Sequence, residues 1–397
     1  MTAAPPASLA SRSSRVTALV LATLAFAVNF WAWALLSPLG PVYQESLGLS
    51  AAEVSVLVAV PVIVGSLGRV VLGALTDRFG GRMVFGVASL LGVVPVVFLA
   101  FAVSYPMLLA GGLLLGLTGA TFAIGVPFVN AWFPPERRGL ALGVFGMGNI
   151  GTAISGFVTP WLAGEFGGRA PFFVVAVALA VTGVVFLLVG RDAPGARPSG
   201  ESFLRKFVSA ARMRVTAELA GIYALTFGGF VAFGVYLPLY LQSVYGLTVA
   251  DAAARAAGFV VLATLVRPVG GWLSDRVGGE VVLSWVLLVV FGCAIVVSFE
   301  PGMPLATAGF LSMAAALGLG NGAVFAILGR VVPVARVGSV TGVVGAAGGL
   351  GGFLPPIVMG LIFQATGSYS IGLMLLAAMA FGAFVYCWFI LRVRARS

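Results

Sequence analysis

The chain has 397 residues, of which 60% are hydrophobic and 9% charged, with no histidine and a formal net charge of +10. So much apolar surface excludes a soluble globular domain, which would leave very large apolar patches in water. The positive balance does not mark a nucleic-acid binder, because the 22 Lys and Arg sit in short loops and form no basic patch interleaved with aromatics.

Apolar runs close to the ~20 residues needed to cross a bilayer predict an all-α membrane protein of twelve transmembrane helices. They lie at 16–41, 51–74, 83–104, 106–131, 138–162, 170–190, 217–243, 250–273, 281–299, 303–328, 337–362 and 369–391. The segment 1–15 is rich in Ala, Ser and Pro and reads as a cytoplasmic N-terminal segment. The run after it is too long for a signal-peptide core and ends at Pro38 and Pro41 without a cleavage site, so it reads as helix 1. Six helices over 16–190 form a first bundle, a polar linker covers 191–216, a second bundle covers 217–391, and 392–397 is a tail. Within the linker, 201–214 has the pattern of a basic amphipathic helix suited to an anionic lipid surface, or of a plain solvated connector. Lys and Arg crowd the loops on the side of the termini, among them Arg78, Arg82, Arg137, Arg138, Arg330 and Arg336, whereas the opposite side has only Arg169 and Arg255. Both termini are therefore expected in the cytoplasm, with the chain multi-pass in the cytoplasmic (inner) membrane.

The two bundles repeat. Arg69-VVL-Gly73-ALT-Asp77-Arg78-F-Gly80-Gly81 matches Arg267-PVG-Gly271-WLS-Asp275-Arg276-V-Gly278-Gly279, with an offset of 198 residues. Gly119-ATFAI in helix 4 matches Gly322-AVFAI in helix 10. Two matches at nearly one offset indicate a duplicated six-helix unit, and secondary transporters place their substrate sites where such repeats meet.

Arg69 and Arg267 lie deep in apolar helices, where a charge costs at least about 2.5–3.5 kcal/mol. Arginine cannot escape that cost by deprotonating. No carboxylate lies at comparable depth in the sequence of either helix, so a small anionic cargo is the expected partner, with snorkelling or a structural bond to backbone carbonyls as the alternative. Asp77, Arg78, Asp275 and Arg276, in short acid–base loops at helix ends, suit a gate. Helix 5 carries Gly143, Gly146, Gly148, Asn149, Gly151 and Gly156; helix 11 carries Gly345, Gly348, Gly349, Gly351 and Gly352. Glycine at this density allows close approach of a helix or a ligand. Asn149 needs a polar partner, either the anion or another helix. Phe122 and Phe325 hold equivalent repeat positions, Tyr223 and Phe227 share one face of helix 7, and Phe30 lies in helix 1; such rings can wall in a flat anion. Cys293 and Cys387 both fall in apolar stretches, so no disulfide or metal framework is expected, and no cofactor. Without histidine, metal motif or nucleophile constellation, the chain is not expected to be an enzyme.

The two Gly-x-x-x-Asp-Arg motifs over a duplicated twelve-helix chain resemble the major facilitator superfamily. Arg69, Arg267, Gly146-M-Gly148-Asn149-I-Gly151 and Gly345-AA-Gly348-Gly349-L-Gly351-Gly352-Phe353 further resemble its nitrate/nitrite porter family. The resemblance implies that Arg69 and Arg267 bind one nitrate or nitrite between the halves. It implies that Asn149 and Tyr223 donate hydrogen bonds to the anion and that Phe122 and Phe227 wall it in, with Phe30 and Phe325 as further aromatic contacts. Gly279-Glu280 stands where the first repeat has Gly81-Arg82, so the two gates are not symmetric. Nitrate/nitrite exchange and proton symport both remain open, as do a carrier of mono- or dicarboxylates and a transporter-like anion sensor. The partners expected are the anion, membrane lipid and, for symport, protons, with no nucleic acid; a monomer is expected.

Overall fold

The computed structural model describes residues 12–194 and 203–391. The expected all-helical architecture is borne out. Twelve spans are long and apolar enough to cross a membrane: Arg12–Trp33, Val56–Phe79, Gly81–Ala100, Tyr105–Trp132, Pro135–Phe166, Ala170–Val189, Arg214–Tyr245, Asp251–Val277, Gly279–Ser298, Met303–Val331, Val334–Pro355 and Ser370–Leu391. They are numbered spans 1 to 12. A short helix, Phe203–Ala211, occupies part of the sequence between spans 6 and 7. The expectations for 1–11, 195–202 and 392–397 lie outside the described residues.

Three differences from the sequence reading have local causes. Helix 1, expected to run to 41, ends at Trp33, and a separate helix starts at Gly40 with proline in its first turn. Pro38 and Pro41 break the run because proline lacks the N–H that an interior helical turn needs. The Asp77-Arg78 and Asp275-Arg276 motifs are not loops. They form the last helical turns of Ala51–Phe79 and Arg267–Val277, and only one glycine separates each from the next helix. Those glycines, Gly80 and Gly278, take φ of 85° and 93°, a region that favours glycine. Finally, three spans are interrupted. Span 4 breaks between Gly119 and Phe122, and span 5 tightens into a 3-10 turn over Met147–Asn149. Span 8 ends one helix at Leu265 and begins another at Arg267, with Pro268 in its first turn.

The described residues pack as two compact units, and neither is a contiguous stretch of chain. The first comprises Met1–Pro134, Met147–Ala217 and Val332–Ala346; the second comprises Pro135–Gly146, Glu218–Val331 and Ala347–Ser397. The chain thus passes between units inside spans 5 and 11, within their glycine-rich segments.

In the first unit, span 2 crosses the opening turns of span 11 through glycines. A Cβ at Gly73 would overlap the Gly338 carbonyl, and one at Gly338 would overlap the Gly73 carbonyl. In the second unit, span 8 crosses the opening turns of span 5 in the same way, through Gly271 and Gly139. Backbones this close leave no room for a methyl group, so van der Waals contact runs directly between the main chains. Gly73→Leu and Gly271→Leu should each markedly lower the melting temperature of the purified protein. Gly292→Leu, where no atom lies within 4 Å of an added Cβ, should leave it near wild type. Equal melting of all three variants would contradict the packing.

Candidate functional site

Each glycine crossing seats a buried arginine. Arg69 is 1% exposed and Arg267 2% exposed. One turn beyond the Gly73–Gly338 contact, a Cβ at Gly342 would meet Val70 Cα at 2.9 Å. One turn further, a Cβ at Gly345 would lie 3.0 Å from Arg69 Cδ. Arg69 Nη1 donates to the Gly345 carbonyl at 2.6 Å, and its Nε reaches the Gly119 carbonyl at 3.4 Å, at the break in span 4. Phe122, the first residue beyond that break, holds its ring centroid 5.8 Å from the Arg69 guanidinium carbon. Phe26 then packs on Phe122 at 5.3 Å and Phe30 on Phe26 at 4.3 Å.

The second unit repeats the arrangement with different residues. A Cβ at Gly143 would meet Pro268 Cα at 2.7 Å, and one at Gly146 would lie 3.2 Å from Arg267 Cδ. Arg267 Nη1 donates to the Gly146 carbonyl at 3.3 Å. The rings of Phe227 and Phe230 lie 5.5 and 5.2 Å from the Arg267 guanidinium carbon, within cation–π range. Tyr223 stacks on Phe227 at 4.9 Å and meets Phe325 edge-on at 4.9 Å. Gly348 of span 11 packs on the Tyr223 ring, and Gly351 on the Ala224 backbone.

The structure thus brings Arg69, Phe122 and Gly345 together in one unit, and Arg267, Phe227, Tyr223, Phe325 and Gly146 in the other. Phe30 stands two ring contacts from Arg69, through Phe26 and Phe122. Asn149 is 2% exposed and closes the 3-10 turn of span 5, where its carbonyl accepts from Thr152 Oγ1 at 2.9 Å. The sequence reading did not single out Phe230 or Phe26. Phe230 is three residues after Phe227 and so lies on the same helix face, a spacing that could have revealed it. The glycines fall into two sets. Gly143, Gly146, Gly342 and Gly345 seat arginines, whereas Gly148 and Gly151 pack against Phe26 and Ala27 of span 1.

Below each arginine, the motif aspartate caps a helix. Asp77 accepts from the Gly338 and Ser339 amides at 2.9 and 2.8 Å and from Ser339 Oγ at 2.7 Å. Asp275 accepts from the Gly139 and Leu140 amides at 2.9 and 2.8 Å. These amides belong to the first turns of helices that begin at Val337 and Arg138, where N–H groups lack intrahelical acceptors and the dipole favours negative charge. The partner arginines of the motifs lie over aromatic rings, Arg78 over Phe79 and Arg276 over Trp272. Where the repeat differs, Arg82 donates to the Leu187 carbonyl.

Residues 22–354 match the Major Facilitator Superfamily family model. The chain is 48% identical to the probable nitrate/nitrite transporter NarK2 of Mycobacterium tuberculosis, over 93% of this chain and 94% of that protein. It is 39% identical to the nitrite extrusion protein of Bacillus subtilis, over 92% of each. This chain belongs to the Major Facilitator Superfamily, in its nitrate/nitrite porter family. Among solved structures, the human organic anion transporter MFSD10 superposes with a TM-score of 0.80 at 16% identity, covering 95% of this chain and all of that one. The fucose:proton symporter FucP of E. coli gives a TM-score of 0.77 at 17% identity, covering 95% and 99%. At such identities these two likenesses speak for the fold alone.

Replacing either aspartate by asparagine keeps its size but removes the charge at the helix start. Asp77→Asn and Asp275→Asn should each cost about 0.5–2 kcal/mol, read as a lower melting temperature in detergent. No change in either variant would rule out the capping role.

Proposed function

We propose that this chain is a secondary transporter that carries nitrate or nitrite across the cytoplasmic membrane by alternating access. The observation that carries the reading is the arginine seat built twice, each time from a glycine carbonyl, a glycine-lined crossing and an aromatic face. Nothing in lipid-embedded packing calls for two such seats, since a buried charge is expensive and an apolar residue is not. The relatives above, a probable nitrate/nitrite transporter and a nitrite extrusion protein, supply the cargo class.

Chemistry favours the same cargo. Nitrate is planar and singly charged, and a guanidinium presents paired donors in one plane, as an ammonium does not. We assign Arg69 and Arg267 as the anion's ligands, with Tyr223 and Asn149 as hydrogen-bond donors and Phe122 and Phe227 as its apolar walls. Anchoring by the Gly345 and Gly146 carbonyls fixes each guanidinium before the anion arrives, which reduces the entropy lost on binding. The aspartate caps are the elements that must open and close as access alternates. A carboxylate held by two or three amides is a discrete contact, made in one state and released in the other.

We propose exchange of nitrate for nitrite as the mode. Swapping one monoanion for another moves no net charge, so the membrane potential of about 2.3 kcal/mol per charge per 100 mV does not oppose it. Exchange also needs no titrating carrier, and the chain has no histidine to serve as one. The crowding of Lys and Arg on the side of the termini supports a cytoplasmic location for both.

Counterflow into proteoliposomes tests this. Internal nitrite should drive uptake of external nitrate equally with and without a pH gradient. Arg267→Ala should abolish that uptake, and Arg69→Lys should lose most of it because the planar fork is gone. Full uptake by Arg267→Ala would overturn the assignment of the ligands, and uptake that requires the pH gradient would replace exchange by proton symport.

A further inference from the structure

Asn321 in span 10 is 3% exposed. Neither the nitrogen nor the oxygen of its side-chain amide has a hydrogen-bond partner among the described residues. An unpaired buried polar group costs about 1–3 kcal/mol, so one kept in a native chain calls for a reason, such as a functional role or a bound water or ion. In an apolar span that cost is not relieved by bulk water.

Its neighbours fix where the amide points. A Cβ at Gly322 would overlap the Arg267 carbonyl, and one at Gly320 would lie 3.1 Å from Thr226 Cγ2. Asn321 therefore projects between the directions of Arg267 and Thr226. Phe325, one helical turn on and on the same face, meets Tyr223 edge-on at 4.9 Å. The hydroxyl of Thr226 also has no partner among the described residues. Asn321 thus stands on the face of span 10 that carries Phe325, between glycines packed on the Arg267 backbone and on Thr226. The repeat makes it distinctive. Aligning Gly119 with Gly322 puts Thr118 at the matching position, and Thr118 is satisfied by donating to the Leu115 carbonyl at 2.8 Å. The first half closes this position on itself, whereas the second leaves an amide open.

We propose that Asn321 is a further binding residue of the Arg267 centre, its side-chain NH2 donating a hydrogen bond to an oxygen of the bound oxyanion. A guanidinium fork engages two oxygens at most, and an oxyanion has lone pairs left for a neutral donor. A neutral amide adds a directed bond without adding charge, and its unpaired cost in the empty state is relieved when the anion accepts from it. The inference rests on the anion-carrier reading above.

The test uses the purified full-length protein, with a binding titration and a melting curve in sodium nitrate and in sodium nitrite. Asn321→Leu keeps the branched shape, at a somewhat greater volume, and removes both polar atoms. Affinity for the anion should fall about tenfold or more, as expected for a hydrogen bond to a charged group. The melting temperature without anion should stay level or rise, because an apolar isostere relieves an unpaired amide. Wild-type affinity in Asn321→Leu overturns the proposal, whatever its melting temperature. A lower melting temperature with unchanged affinity would identify the amide as structural. Should the leucine variant not fold, Asn321→Ala is read in the same two ways. If the wild-type protein binds neither anion, the carrier reading fails first and the proposal fails with it.

Discussion

The close crossing of span 2 with span 11, repeated by span 8 with span 5, is the contact on which the rest depends. Gly73 and Gly338, like Gly271 and Gly139, bring two backbones so near that no side chain fits between them. That approach aligns the next two turns of each crossing. It places the Gly345 and Gly146 carbonyls where an arginine can donate to them, and it sets the helix starts at Val337 and Arg138 against Asp77 and Asp275. One glycine-lined groove thus serves an arginine at one end and an aspartate cap at the other. Any movement that slides the crossing changes both ends together, so under the proposed transport cycle the arginine seat and the aspartate cap would move as one.

The arginine seat reconciles two opposed demands. A guanidinium at this depth must be held by the protein, yet to serve as the proposed ligand it must keep its charge available. A backbone carbonyl orients the group and satisfies one donor without cancelling its charge, so attraction for an anion persists. The aromatic faces of Phe122, Phe227 and Phe230 add electrostatic support from rings that bring no formal charge. A carboxylate in those places would neutralise the arginine and compete with the anion.

Much of this was legible in the sequence. The 198-residue offset exposed the duplication, and the depth of Arg69 and Arg267 in apolar runs marked them as buried. The division of labour among the glycines was not legible, because it depends on tertiary partners far away in sequence. Arg69 and Gly345 are 276 residues apart. Composition could not distinguish Gly345, which seats an arginine, from Gly348, which receives the Tyr223 ring. The conformation of the motif aspartates differed for a related reason. A Gly-x-x-x-Asp-Arg string reads as a loop, but its polar residues complete a helical turn, and the acceptors they supply serve helices that begin at Arg138 and Val337. The break in span 8 had a local sign in Pro268, whereas the tightening at Met147–Asn149 reflects glycine-weakened helix whose two flanks pack in different units. Nothing in the sequence distinguishes Asn321, because an amide's lack of partners shows only in three dimensions.

Seated, charged arginines that bind a small oxyanion should make the folded protein more stable in its presence. The most direct test is the melting temperature of the purified wild-type protein as sodium nitrate replaces sodium gluconate at constant ionic strength. The melting temperature should climb with the logarithm of nitrate concentration above the dissociation constant, as required of a ligand that binds only the folded state. A melting temperature that is the same in nitrate as in gluconate across the millimolar range would contradict the account.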